Sequence, residues 1–117
     1  NSPILVGSFK TGSWDSSGRA GDPCVFKYKN KWYMAFYSWD KMHTQDGIAW
    51  TTDEEFPLGW RSCDYNPILK VGKEGSFDEL HAGKPFVIIK DKIYYHFYTA
   101  VDKRQKREIA LAVGELE

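Results

Sequence analysis

Two tryptophans stand beside carboxylates in the sequence, Trp14 before Asp15 and Trp39 before Asp40. An indole ring can stack on the CH face of a sugar ring, and both tryptophans fall at predicted strand or connector ends. Most of the other aromatic side chains are expected in the core. We therefore take Trp14, Trp39 and Asp40 as candidate substrate contacts, with the core as the alternative location for both rings.

The segment from Asp78 to Lys84 carries a second set of candidate groups. His81 can serve as an acid if its pKa is suitably placed, and Glu79 supplies a carboxyl group. Lys84 is interpreted as a functional cation, because an unpaired lysine in a protein interior is costly. The alternatives are a solvated connector position for Glu79 and a packing role for His81. His96, in the middle of a predicted strand, is interpreted as a hydrogen-bonded core residue.

The composition excludes several classes of partner. The 117 residues, 42% of them hydrophobic, suffice for one small domain with a core. Sixteen basic and sixteen acidic side chains give a formal net charge of zero, which argues against nucleic acid or an anionic membrane and favours a neutral partner. No apolar run reaches the roughly 20 residues of a membrane span, so the chain is expected to be soluble. The compartment stays open, with a secreted or periplasmic parent protein as one expectation.

Cys24 and Cys63 lack the spacing of a zinc site. We therefore expect no metal and no cofactor, while two free thiols and a disulfide both stay open.

An internal repeat organises the chain. The matching motifs are Pro3–Leu5 with Pro67–Leu69, Gly12–Asp15 with Gly75–Asp78, Gly21–Pro23 with Gly83–Pro85, Tyr33–Ser38 with Tyr94–Thr99, and Ile48–Ala49 with Ile109–Ala110. The spacing between the two copies falls from 64 residues in the first pair to 61 in the last two. This shrinkage indicates that loops were shortened between the units while the strands kept their phase.

Both units are predicted to be all-β, because their apolar segments are short, rich in aromatic and β-branched residues, and bounded by Gly, Asp, Asn and Pro. The predicted strands are residues 23–28, 31–39, 47–52 and 60–63 in the first unit and 85–90, 92–101 and 108–113 in the second. The second strand of each unit is apolar on both faces and needs cover on both sides. A period near 60 with three or four strands per unit favours stacked β-propeller blades.

We therefore predict a single domain over residues 1–117. Residues 1–65 form a connector and a first blade, and residues 66–117 form a connector and a second, incomplete blade. Two blades do not close a ring of about 4 to 8.

The motifs that open the two units resemble those of glycoside hydrolase families 32 and 43. Gly21–Phe26, followed by Lys31–Met34, is similar to the Asp-Pro opening of a blade and its second strand in those families. Asn66–Leu69, His81–Pro85 and Tyr94–Tyr98 look like further blade segments. The resemblance covers nearly all of the chain. It implies about two four-stranded antiparallel blades, or some two fifths of a five-bladed propeller.

The resemblance also implies a role for Asp22, since the Asp before Pro at the start of the innermost strand is catalytic in those families. Turn capping is the alternative. A glycosidase needs a second carboxyl group about 5 to 9.5 Å away. At the equivalent point of the second unit, however, stand Gly83 and Lys84, which leaves Glu79 and His81 as the candidate partners. We therefore expect low or absent hydrolysis by this chain alone.

Two functions follow as hypotheses. The first is a glycoside hydrolase-like propeller fragment that hydrolyses or binds glycosides in an axial channel, and the alternative is a non-catalytic carbohydrate-binding or self-assembling module. Self-association, most simply into a homodimer, is expected because the second unit has one strand fewer than the first and leaves an edge and apolar faces uncovered. Asn1–Val6 is the expected donor of an exchanged strand.

Overall fold

The computed structural model describes residues 2–116, and within that range the chain is all-β without a helix. The strands are β1 (Gly21–Tyr28), β2 (Lys31–Trp39), β3 (Thr44–Thr52), β4 (Arg61–Ser62), β5 (His81–Lys90), β6 (Ile93–Val101) and β7 (Arg107–Glu115). The all-β prediction is confirmed. Asn1 and Glu117, where the predicted domain begins and ends, lie outside the described residues.

Strand pairing divides the sheet into two antiparallel groups, which we call the first blade (β1–β4) and the second blade (β5–β7). β1, β2 and β3 pair in sequence order, as do β5, β6 and β7, and the short β4 pairs with β3. A single parallel bridge, Thr44 with His81, joins the blades. The described part of the protein therefore forms an open, propeller-like sheet rather than a closed ring, with β7 as the outer strand of the second blade.

The strand register corrects the alignment of the two units. Cys24 pairs with Ala35 in the first blade, and Phe86 pairs with Phe97 in the second, so equivalent residues lie 62 apart. The 61-residue match of the second strands is therefore wrong by one residue, and His96 corresponds to the residue before Ala35. A slip of one residue turns every side chain to the other face of the sheet. The aromatic run of β6 resembles β2 in either alignment, so similarity alone did not fix the phase.

In the third strand of each blade, the spacing between equivalent residues increases by one further residue. Trp39 pairs with Thr44 across the turn 40–43, whereas Val101 pairs with Arg107 across the longer turn 102–106. The spacing of equivalent residues rises to 63 in this strand, and the match of Ile48–Ala49 with the later Ile-Ala pair is also wrong. Thr44 and Arg107 consequently occupy the same backbone position, as the first residue of the third strand in each blade.

The main hydrophobic cluster lies between the second blade and the connector that precedes it. Three buried residues of the second blade form its centre, and connector and β7 side chains pack against them: Ala82, Tyr98 and Ala100, with Leu69, Val71, Ala110 and Ala112. Both cysteines are free. Cys24 lies at the blade interface, where its Sγ accepts a hydrogen bond from the backbone amide of Val87 at 3.3 Å.

The Gly-Ser-aromatic-Asp motif of each connector forms a turn held by its own aspartate. The hydroxyl of Ser13 donates to Asp15 at 2.6 Å, and that of Ser76 donates to Asp78 at 3.1 Å. Asp78 also accepts a hydrogen bond from the hydroxyl of Tyr98 at 2.9 Å. Both aspartates are buried, so these bonds replace the water that the carboxylates have lost.

Tyr98→Phe should lower the free energy of unfolding by roughly 1.5–3 kcal/mol, because the buried Asp78 loses a hydrogen bond to a charged acceptor. Urea unfolding followed by tryptophan fluorescence measures the change. Tyr65→Phe is the matched control, since Tyr65 is 85% exposed, and its effect should stay within about 0.5 kcal/mol. Equal effects of the two substitutions would contradict the structural role of this bond.

Candidate functional site

Asp22 and Lys84 lie on matching β-bulges at the starts of β1 and β5. Asp22 and Pro23 together oppose a single residue of β2, and Lys84 and Pro85 together oppose a single residue of β6. The backbone φ is 50° at Asp22 and 61° at Lys84, in the left-handed region. That conformation costs a non-glycine residue about 1 kcal/mol or more, and such residues cluster at functional sites. The predicted equivalence of the two positions is confirmed, while their functional roles stay predictions.

The close approach of β3 explains why Gly83 precedes the second bulge. A Cβ atom on this residue would lie 2.6 Å from the Cγ2 atom of Thr44, which is closer than packed carbon atoms come. Any larger residue at this position would therefore require Thr44 or the strand to move.

Asp46 is a carboxyl group behind these bulges that the sequence reasoning missed. Its side chain is 0% exposed, and its Oδ2 lies 2.7 Å from Nε2 of His96 in the next blade. Its Oδ1 is buried without a hydrogen-bond partner among residues 2–116. Burial raises the pKa of Asp46 to about 6; the charge of Asp22 adds to the rise, while His96 and the Lys84 backbone amide oppose it. Asp46 is thus within electrostatic reach of both bulges.

His96 connects Asp46 to Tyr94. The Tyr94 hydroxyl lies 2.7 Å from Nδ1 of His96, and burial raises the pKa of Tyr94. The hydroxyl therefore stays protonated and donates to Nδ1, which leaves the Nε2 proton of His96 for Asp46. This arrangement agrees with the prediction that His96 is a hydrogen-bonded core residue.

The hydrogen bonding of His81 makes it a donor rather than a strong acid. The backbone amide of Thr44 donates to its Nδ1 at 2.9 Å, so the neutral imidazole carries its proton on Nε2. Burial lowers the pKa of His81, and the charges of His43 and Arg107 lower it further, against a smaller opposing effect of Asp40. At neutral pH this side chain is an uncharged N–H donor.

Asp40 organises the turn that follows β2. Its Oδ1 accepts hydrogen bonds from the backbone amides of Met42 at 2.9 Å and His43 at 2.7 Å. The neighbouring Trp39 is half-buried, and the guanidinium of Arg19 lies 4.5 Å from its ring centroid. One face of the indole is therefore occupied by a cation, and the sugar contact of Trp39 stays a prediction.

Trp14 packs within the first blade. Its ring centroid lies 5.7 Å from that of Phe36, and a Cβ atom on Gly47 would come within 2.6 Å of the indole. These contacts support the core alternative for Trp14 rather than a ligand contact.

Glu79 belongs to the second connector and not to the bulges. It is half-buried, and its Oε2 accepts a hydrogen bond from the backbone amide of Gly75 at 3.0 Å. It borders a different surface cavity from the one that Lys84 lines. This position supports the connector alternative for Glu79.

Asp22, Trp39, Asp40, His81 and Lys84 share one end of the sheet, where β1, β3 and β5 begin and β2 ends. No group of three His, Cys, Asp or Glu residues suited to a metal ion occurs within residues 2–116. In the same range, no helix has the length and apolar character required to cross a membrane.

Comparison with known proteins finds glycoside hydrolases with a similar fold. A protein described as a glycoside hydrolase superposes with a TM-score of 0.69 at 27% identity, over 84% of this chain and 28% of that one. The chain has a glycoside hydrolase-like fold. No protein-family model matches it, and no curated protein is significantly similar in sequence.

Two further structures agree with this glycoside hydrolase-like fold. One is a BT0996 RGII complex, which is 28% identical and superposes with a TM-score of 0.68 over 82% of this chain and 27% of that one. A thermostable family-43 glycoside hydrolase superposes with a TM-score of 0.57 at 20% identity, over 81% of this chain and 28% of that one. The sequence therefore spans little more than a quarter of the length of these proteins.

Asp46→Asn should flatten the pH dependence of stability. Because the folded pKa of Asp46 is raised from 3.8 to about 6, its stabilising contribution is complete below pH 3.8 and is lost as the pH rises through 6. The free energy of unfolding of the unmodified protein should fall across this window, by up to about 3 kcal/mol relative to the variant. Urea unfolding at pH values from 4 to 7 measures the difference.

Asp64→Asn serves as the control, because Asp64 is exposed. Its stability profile should follow that of the unmodified protein. Parallel profiles for Asp46→Asn and the unmodified protein would show that Asp46 does not titrate in this window.

Proposed function

We propose that this protein binds a glycoside at the sheet end where β1 and β5 begin, as a segment of a glycoside hydrolase-like propeller. The observation that carries this proposal is the pair of equivalent bulges, which present Asp22 and Lys84 from adjacent blades on left-handed backbone. The likeness to glycoside hydrolases supports a carbohydrate ligand. Both side chains are exposed and so accessible to a ligand.

The roles at this site follow from the charge and hydrogen bonding of each group. Asp22 accepts hydrogen bonds from sugar hydroxyls, and Lys84 and the Nε2–H of His81 donate to sugar oxygens. Of the other carboxyl groups, Asp46 is buried, Glu79 borders a separate cavity, and Asp40 is engaged with two backbone amides of the turn that follows β2. A glycosidase needs two, so binding without efficient hydrolysis is the expected behaviour of this protein alone.

Asp22→Ala should weaken sugar binding by about tenfold, because the carboxylate contact with the ligand is lost. Glu79→Ala is the matched control and should change the affinity by less than about twofold, since it also removes a carboxyl group, but one that belongs to the connector and lies outside the site. Titration of arabino-, fructo-, xylo- and manno-oligosaccharides, followed by isothermal calorimetry and amide chemical shifts, measures both.

If a sugar binds and neither substitution changes its affinity, the result would favour turn capping as the role of Asp22. Release of the aryl group from aryl arabinosides, fructosides, xylosides or mannosides, at a rate that vanishes in Asp22→Asn, would instead show that the protein is a complete catalyst.

A second candidate function is self-assembly, and the outer face of the second blade favours it. Side chains from all three strands leave this face apolar and exposed: Phe86, Ile88, Phe97, Ile109, Leu111 and Val113. By the strand register, the equivalent positions of the first blade face the second blade and bury the interface between them. We propose that the first blade of another copy covers this face, because the protein already contains one interface of that kind.

The opposite face of the first blade offers the complementary surface. Ile4 and Leu5 line an apolar groove there with Met34 and Phe36, and Ile4 is half exposed. The expected exchange of residues 1–6 as a strand is an alternative form of the same assembly, and its first residue lies outside the described range.

Leu111→Arg should convert the assembly to a monomer, because an unpaired guanidinium would be buried in the new interface. Light scattering at micromolar concentration measures the mass. Lys103→Arg, on the turn beyond this face, is the control. A folded monomer of 13.5 kDa for the unmodified protein would refute self-assembly, and loss of assembly on deletion of residues 1–6 would identify strand exchange as its form.

A further inference from the structure

A small cavity opens at the start of the second blade, beside the Lys84 bulge. Its volume is about 50 Å³, room for on the order of three or four water-sized groups. The lining residues come from three strands of the second blade and from the start of β3: Thr44, His81, Gly83, Lys84, Thr99, Val101 and Arg107. The cavity can accept a small charged substituent, but a sugar ring has to remain outside it.

The charged groups at this cavity are cationic. Lys84 and Arg107 line it, and neither forms a salt bridge with a carboxylate of residues 2–116. The effect of Arg107 on the His81 imidazole exceeds the opposing effect of Asp40. The side chains that line the cavity are therefore cationic in sum, although the protein as a whole is neutral, and the buried Asp46 lies behind Gly83, with its Oδ1 3.6 Å from where a Cβ on that residue would be.

The third polar group is a fixed donor. Because the Thr44 amide binds Nδ1 of His81, the remaining ring nitrogen, Nε2, carries the proton. Two cations and one N–H donor thus line one small cavity, and all three groups can donate hydrogen bonds to a ligand. Such a set matches an anionic group with several acceptor oxygens, and arginine in particular matches a carboxylate through two parallel hydrogen bonds.

We propose that this cavity is a subsite for the carboxylate of a uronic acid residue, held by Arg107, Lys84 and His81. The inference rests on the proposed glycoside-binding function and narrows its ligand to acidic sugars. The sugar ring lies outside the cavity, over the sheet end that also carries Asp22. The subsite belongs to the second blade, because the first blade has Asp22 and Thr44 at the positions of Lys84 and Arg107.

Matched sugar pairs test the subsite, since galacturonic acid differs from galactose, and glucuronic acid from glucose, at C6 alone. We expect each uronic acid to bind the full protein about tenfold more tightly than its neutral partner at low salt, because the contact is a charge-assisted hydrogen bond. Amide and imidazole chemical shifts measured by NMR report both the affinity and the involvement of His81. The preference should shrink as salt is raised.

Arg107→Gln should remove most of the preference for the uronic acid while leaving the affinity for the neutral sugar unchanged. Lys103→Gln is the control, because it also removes an exposed cation but lines the neighbouring cavity, and it should keep the preference. Lys84→Gln should produce a partial loss. Unchanged thermal unfolding verifies that each variant is folded.

Equal binding of the acidic and neutral sugars would overturn the subsite and leave the proposed glycoside-binding function standing. Binding of free acetate as tight as that of galacturonic acid would show that the cavity holds anions without recognising a sugar, and would also overturn it. If none of the acidic or neutral sugars binds, including the oligosaccharides, both the uronic acid subsite and the proposed glycoside-binding function are refuted.

Discussion

The hydrogen bond between Asp46 and His96 ties the two blades together at a buried point. A carboxylate in the interior is costly unless it is partnered, so this pair fixes how β3 lies against β6. The backbone of Asp46 is held as well, because it exchanges hydrogen bonds with Ile68 and Leu69 of the connector. First blade, connector and second blade thus meet at one residue. Gly83, which precedes the Lys84–Pro85 bulge, rests against the same stretch of β3, and the position of the bulge follows from this packing.

Much of the fold could be predicted from the sequence, because the signals were local. Turn residues bracket each strand, and aromatic and β-branched residues fill them, so the strands β1, β2 and β6 fall close to their predicted bounds. β5 begins at His81, four residues before the predicted start at residue 85. The register between the strands was harder to predict. The spacing of equivalent residues depends on the length of a turn, 40–43 against 102–106, and composition does not show that one turn holds an extra residue.

The candidate site was only partly accessible from sequence. Asp22 and Lys84 could be found because Gly-x-Pro recurs in phase and imposes the same bulge twice. Asp46 could not be found, because Thr44–Gly47 has the polar composition of a turn. In the structure, β3 already begins at Thr44, and it buries the Asp46 carboxylate against a histidine that is distant in sequence. Trp14 was proposed as a ligand contact because it stands beside Asp15 at a connector end, and the contacts of its ring with Phe36 of β2 and Gly47 of β3 could not be predicted from that local sequence.

The equivalence of the two bulges has a consequence for the symmetry of the sheet end. The same backbone framework presents Asp22 and Thr44 on the first blade and Lys84 and Arg107 on the second, so two nearly identical surfaces carry opposite charge. An elongated molecule lying across both blades meets an anion at one end and cations at the other. Its forward and reversed orientations therefore differ in energy. Two blades that are alike in backbone become directional through the side chains at two positions.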